Sequence, residues 1–204
     1  MVEAAIHGFV LALGLILPLG VQNVFVFNQG ALHRRFVAAL PAVLTASVCD
    51  MILISLAVLG VSVVVLGSVW VKTVLLGAGL LFLLYMGWVT WHSTPGANGN
   101  EAARTFTPRK QVAFAASVSL LNPHAIMDTV GVIGTSSLGY AGVEKLVFSV
   151  TCIAVSWIWF AGLALAGRIT GELDKSGRFM TILNKLSAIV MWGAAVYIGR
   201  MLFA

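Results

Sequence analysis

Two aspartates carry the chemistry of this chain. Asp50 sits in S-V-C-D-M-I-L-I-S-L and Asp128 in H-A-I-M-D-T-V-G-V-I, each within an apolar stretch long enough to cross a bilayer. A carboxylate at the bilayer centre costs about 2.5–3.5 kcal/mol on insertion scales, so it persists where it faces a cavity or a partner. All twelve Lys and Arg fall in loops or near span ends, which leaves neither aspartate a basic neighbour inside the membrane. Two such groups facing water suit a cationic substrate, a proton relay, or both; the plainer alternative is a structural hydrogen bond to an adjacent helix. Uncharged donors and acceptors accompany them: Gln22 and Asn23 after Pro18, and Asn122, His124 and Thr129 around Pro123. His124 reads as a hydrogen-bonding core residue. Cys49 and Cys152 lack a C-x-x-C and read as small apolar residues, and no cluster of His, Cys and acids has metal-ligand spacing.

Pro18 and Pro123 place this polar chemistry. Proline removes a backbone donor and clashes with the carbonyl four residues back, so a membrane helix that contains it is kinked or broken. Gly20 loosens the first break further. A discontinuous helix presents free N–H groups and the positive end of its dipole at mid-membrane depth, where an anionic group can be held. Asn23 and Asp128 each fall five residues after their proline. A packing kink is the bland reading of either proline; two at related positions, each followed by polar side chains, favour a site.

The elements that must position these residues are transmembrane helices. Of 204 residues, 60% are hydrophobic and 9% charged, against about 25% charged in an average soluble domain. That composition excludes a soluble globule, a disordered chain and a disulfide scaffold. The net charge of +5 fits basic loops that hold a topology better than nucleic-acid binding. Six stretches approach the roughly 20 residues a span requires, near 4–29, 38–60, 72–92, 112–138, 146–167 and 182–203. The predicted fold is therefore all-α and polytopic. Polar breaks fall at His33, Arg34 and Arg35, around Gly67 and Ser68, from Pro95 to Lys110, from Gly139 to Lys145 and from Arg168 to Arg178. Loops 1–2, 3–4 and 5–6 carry nine basic residues and the opposite side three (Lys72, Lys145 and Arg200). The asymmetry puts those three loops in the cytoplasm and both termini outside. The amino end carries Glu3 and no Lys or Arg, so the first stretch is expected to remain as a span rather than be cleaved.

The halves also resemble each other. With Pro18 and Pro123 aligned, the first and fourth stretches match; the second and fifth match at an offset of 107, with Gly60 facing Gly167; and L-L-Y-M-G-W sits against A-V-Y-I-G-R. Chance similarity of two apolar helices is the competing reading. Three spans per half reverse the orientation of the second copy, giving a 3+3 inverted repeat with broken helices 1 and 4. One domain, 1–204, then comprises a first repeat of about 1–92, a linker of about 93–110 and a second repeat of about 111–204.

No H-E-x-x-H, G-x-S-x-G, P-loop or paired-cysteine motif occurs, so the chain is expected not to be an enzyme and to need no cofactor. The run L-P-L-G-V-Q-N-V-F-V-F-N-Q-G at 17–30, the C-D at 49–50 and L-L-N-P-H-A-I-M-D-T at 120–129 together resemble the lysine/arginine exporter (LysE) family of bacterial inner-membrane transporters, and its basic amino-acid branch in particular. The resemblance covers nearly the whole chain. It implies export of L-lysine, L-arginine or close analogues, driven by the membrane potential and a proton or hydroxide gradient, with Asp50 and Asp128 matching the family's essential aspartates. The sequence departs from the family's usual Gly-Pro-Gln-Asn, having Leu19 and Val21 around Gly20.

The combined expectation is a carrier in the inner membrane. Its substrate carboxylate would meet the helix starts after Pro18 and Pro123. Asp50, Asp128, Gln22, Asn23, Asn122 and Thr129 would bind the cationic groups or couple protons. Efflux of another small amino acid or cation, a divalent metal included, a channel and a non-transporting scaffold are the alternatives. The expected partners are a basic amino acid, protons or hydroxide, and lipid, without nucleic acid; a homodimer stays open.

Overall fold

The computed structural model describes residues 1–17, 20–33, 35–60, 69–92, 107–120, 123–173 and 178–203. Nine α-helices carry it, with no strand among the described residues: α1 (Val2–Ile16), α2 (Val21–Leu32), α3 (Leu40–Val58), α4 (Val69–Trp91), α5 (Pro108–Leu120), α6 (Pro123–Asp128), α7 (Thr135–Ser137), α8 (Gly142–Leu173) and α9 (Arg178–Phe203). A short 3-10 turn, Phe36–Ala39, runs into α3, and a π-helical segment, Thr129–Gly134, joins α6 to α7. Pro18, Leu19 and Asn122, the break around Gly67 and Ser68, and the linker from 93 to 106 lie outside the described residues.

Among the described residues two helical stretches are long and apolar enough to cross a membrane unaided, Phe36–Val58 and Gly142–Leu173; α1 and α2, bent by 80°, make a third candidate as a pair. Apolar side chains alone do not make such helices viable, because every buried polar group needs a partner where water is absent. Several hydroxyls find theirs within their own helices. Thr45 donates to the Pro41 carbonyl, Ser119 to Ala115 and Thr151 to Val147, at 2.7–2.8 Å. Helix α3 starts with Pro41 in its first turn, where a missing N–H costs no helical bond. It stops at Gly60, whose φ of +75° suits glycine and lets its N–H reach the Ala57 carbonyl at 3.1 Å.

Helix packing crosses between the halves. Helices α1 and α2 pack on α8, while α5 and the π segment pack on α3; α3 also meets α8, and α4 pairs with α9. Small residues allow the closest approaches. A Cβ added to Gly30 would collide with the Ala164 carbonyl, and one at Gly167 or Gly171 with the carbonyls of Phe27 or Ala31. Backbone contact of this kind is how helices associate when lipid offers no hydrophobic drive. Gly167 therefore lies within α8, at its contact with α2, whereas the matched Gly60 ends α3. Three apolar clusters fill the remaining space. One is built on Phe148 and Cys152 of α8 with Ile54, one on Phe25, Val26, Ala46 and Phe160, and one on Val21, Leu83, Val118 and Met191.

Polar contacts mark the two ends of the bundle. The amino group of Met1 pairs with Glu144 Oε1 at 2.8 Å, and His7 Nδ1 lies 2.8 Å from the Tyr140 hydroxyl. At the other end, Gln111 Nε2 lies 3.1 Å from His33 Nε2 and donates to the Ala38 carbonyl at 3.0 Å. The path from α1 to α2 and the path from α5 to α7 thus run in opposite directions.

Candidate transport site

The polar residues of the first half converge where α2 begins. Gly20 is the N-cap of α2 in an extended conformation (φ −79°, ψ 173°), with no side-chain cap. The first turn must therefore find acceptors elsewhere, or leave N–H groups for a ligand. Gln22 is 9% exposed and donates through Nε2 to Asp50 Oδ1 at 3.1 Å, joining α2 to α3. That bond, across 28 residues of sequence, is the central contact of the site: an uncharged amide holds one carboxylate oxygen. Among the described residues no basic side chain pairs with Asp50.

Asn23, 5% exposed, bridges the break. Its Nδ2 donates to the Ile16 carbonyl at 2.6 Å, satisfying an acceptor at the end of α1, and its Oδ1 accepts from the Trp159 indole at 3.3 Å. Helices α1, α2 and α8 are tied together by this one side chain. Trp159 belongs to W-I-W-F, a run whose composition suggests packing; its role here comes from the indole N–H, which a buried tryptophan must pair.

In the second half, α6 starts at Pro123, so the proline occupies a helix start rather than a kink within a helix. Asp128 closes α6 and Thr129 opens the π segment, and both are half-buried. π-helical turns are rare and concentrate at functional sites, because the extra residue per turn redirects side chains. The segment packs on α3, the helix that carries Asp50, with Gly134 facing the Ala57 carbonyl. Pro18 and Asn122 lie outside the described residues, as do the side chains of Pro123 and His124.

Some polar residues here stand out only in the folded chain. Asn28 donates to Asn184 Oδ1 at 3.0 Å, linking α2 to α9, and Gln29 and Ser47 are buried at 3% and 0% exposure. Burial among apolar neighbours is their signal, and Gln29 lies in the N-Q-G run that ends the first stretch. Among the described residues no three His, Cys, Asp or Glu side chains gather to hold a metal. An apolar groove of 540 Å³ between α1 and α8, lined by Phe9, Leu13, Val155, Ile158 and Trp159, has almost no polar wall.

Apolar helices of span length, a broken helix pair and a carboxylate held inside the bundle define an integral membrane protein built to move a solute. The family model of the LysE type translocator matches residues 13–202, and the chain belongs to that family. It is thus a transporter and not an enzyme. YisU of Bacillus subtilis (strain 168), named as a candidate amino-acid transporter, is 64% identical over 201 residues, covering 98% of this chain and 91% of the relative. The arginine exporter protein ArgO of Salmonella newport (strain SL254) is 32% identical over 203 residues, covering 98% of this chain and 95% of its own. The ArgO of Salmonella typhimurium (strain LT2) is similar to the same extent. No solved structure matches the chain significantly.

Proposed function

We propose that the protein exports basic L-amino acids, lysine or arginine, across the bacterial cytoplasmic membrane. The observation that carries this reading is the Gln22–Asp50 contact, in which, among the described residues, a neutral amide donates to a carboxylate inside the bundle. A guanidinium or ammonium group supplies what that arrangement lacks, a charged donor. The arginine-exporting relatives support the same substrate class. In this reading the α-carboxylate of the substrate meets the first turn of α2, whose N–H groups no side chain caps. Asp50 and Asp128 hold the cationic groups or exchange protons, with Gln22, Asn23, Asn122 and Thr129 completing the polar wall. An inside-negative membrane potential opposes outward movement of a cation, so export draws on it when more than one proton enters, or more than one hydroxide leaves, with each substrate cation.

Six spans in a 3+3 inverted repeat form the accompanying architecture. Exchanging each helix for its counterpart maps the packing onto itself: α1 and α2 on α8 become α5 and the π segment on α3, while α4–α9 and α3–α8 are unchanged. The opposite directions of the two broken paths support the same arrangement. Rocking of one repeat against the other would alternate access. The loops after α2, α4 and α8 are assigned to the cytoplasm by their basic residues.

Counterflow of radiolabelled arginine and lysine in proteoliposomes tests the proposal. Saturable exchange of basic amino acids, with markedly weaker affinity for neutral ones, is expected. Flux that does not saturate and shows no counterflow would identify a channel, and carriage of neutral amino acids alone would overturn the substrate class.

A further inference from the structure

We infer that the seam between α2 and α3, on the side of Asp50 nearest their connection, is a transit subsite for the cationic head of the substrate, formed by Gln29 Oε1 and Ser47 Oγ. The inference rests on the basic amino-acid reading above and adds residues that reading does not use. Gln29 is 3% exposed and Ser47 0%, and neither oxygen has a hydrogen-bond partner within the described chain. Buried polar atoms are nearly always paired, so two orphans in one seam call for an absent partner.

Register places them together along one path. Gln22 touches Asp50, and Gln29, seven residues further along α2, returns to the same helix face two turns away. Ser47, three residues before Asp50, shares its face on α3. Both steps lead toward the α2–α3 connection, because the two helices run in opposite directions. The orphaned atoms are also of one kind. An amide oxygen accepts only, and a hydroxyl oxygen can accept, so the seam continues the acceptor character of Asp50. A third orphaned oxygen, Asn28 Oδ1, belongs to the neighbouring residue, whose nitrogen is bound to Asn184. A row of acceptors leading to a carboxylate fits an ammonium or guanidinium group, whose donors are many and whose acceptors are none. It does not fit an anion.

The test is arginine uptake by wild type, Gln29→Leu and Ser47→Ala in inside-out and right-side-out vesicles, with citrulline as the uncharged isostere. Gln29→Leu is expected to weaken apparent arginine affinity about tenfold, and Ser47→Ala about threefold, from the α2–α3 connection side only. Citrulline affinity and arginine affinity from the opposite side should not change, a pattern that a general loss of fold would not produce. Unchanged affinity in both variants, or equal weakening from both sides, overturns the subsite. If Gln29→Leu fails to reach the membrane, Ser47→Ala, which deletes one oxygen and almost no volume, decides alone. A wild type that carries neither arginine nor lysine overturns the substrate reading and the subsite with it; a transporting wild type with insensitive variants overturns the subsite only.

Discussion

The two broken helices are held in different ways. At the first, side chains close the gap: Asn23 joins the end of α1 to α2 and accepts from Trp159 of α8, while Gln22 reaches Asp50 of α3. Both amides are buried. At the second, the described residues show a change of helix type. Helix α6 starts on Pro123, and six residues later the chain widens into a π segment that lies on α3. Asp128 and Thr129 stay half-buried at that junction. A side-chain lock fixes one geometry through directional bonds, whereas a π turn is a register fault within a continuous helix that can be redistributed along it. The first break is therefore expected to be the fixed part of the site and the second the adjustable part.

The strongest way to break this comparison is to remove the carboxylates. Losing the charge from one partner of a buried, hydrogen-bonded pair costs about 2–5 kcal/mol, which is about thirty- to several-thousandfold in binding. Asp50→Asn should abolish measurable arginine export while its content in the membrane stays normal. Asp128→Asn is expected to fall severely too, but to retain more transport, since its side chain is half-buried at the start of a π segment that can adjust. Initial rates in proteoliposomes, normalised to inserted protein, make the measurement. A larger loss at Asp128 would reverse the assignment of fixed and adjustable breaks.

Next come the bonds of the lock itself. Asn23→Ala removes two hydrogen bonds and leaves the Ile16 carbonyl without its donor, a cost of about 1–3 kcal/mol. Trp159→Phe keeps the ring and removes one donor, for about 1 kcal/mol. Because the two share a bond, the double variant should be more stable than the sum of the single effects implies. Thermal unfolding in detergent, run as a double-mutant cycle, checks this; strict additivity would separate Trp159 from the lock.

Much of this was legible from residue types and spacing. The helical class follows from composition, the family from the resemblance of the runs at 17–30, 49–50 and 120–129, and the bend between α1 and α2 from proline placement. Asp50 stands out as an ionisable residue in apolar sequence, and it lies against Gln22. What spacing cannot convey is which partner a side chain meets. Gln22 and Asn23 are adjacent and chemically similar, yet one faces Asp50 of α3 and the other faces Ile16 and Trp159. The 100° between consecutive helical residues decides this, together with the packing of three helices. Pro123 reads as a helix break from the sequence and α6 begins at it, but spacing does not show the π segment that follows six residues later. Gly167 is a third case: its match to Gly60 suggests a helix end, but its service is to let α2 approach α8.

A smaller effect tests how the two breaks are connected. Near the connection between α2 and α3, His33 Nε2 lies 3.1 Å from the Gln111 amide nitrogen of α5, so the end of the first broken path is tied to the start of the second. Burial lowers the His33 pKa below its ordinary value of 6.5, favouring the neutral ring, whose bare nitrogen can accept from the amide. The unfolded chain then binds more protons than the folded one as the pH falls through the window below 6.5. The contact is complete above that window and is lost across it as His33 protonates. Melting temperature in detergent should drop with pH in the wild type by a few degrees more than in His33→Phe, in line with one hydrogen bond of about 1 kcal/mol. Parallel profiles for the two proteins would remove His33 from the connection.

The smallest effects belong to the residues that first drew attention to the breaks. Were Pro123 a kink within a continuous helix, alanine would restore a hydrogen bond and straighten the chain, with a large change in transport. With α6 starting at Pro123, the absent N–H is one that no intrahelical carbonyl would accept, and the substitution should cost less than about 1 kcal/mol. Gly20→Ala should be similarly mild, because its extended backbone suits any residue and a Cβ there meets nothing within 4 Å. Arginine counterflow and thermal stability close to wild type are therefore expected for both single variants. Loss of transport in Pro123→Ala with Gly20→Ala unaffected would show that the second break depends on its proline ring, and that the π segment alone does not make it the adjustable half of the site.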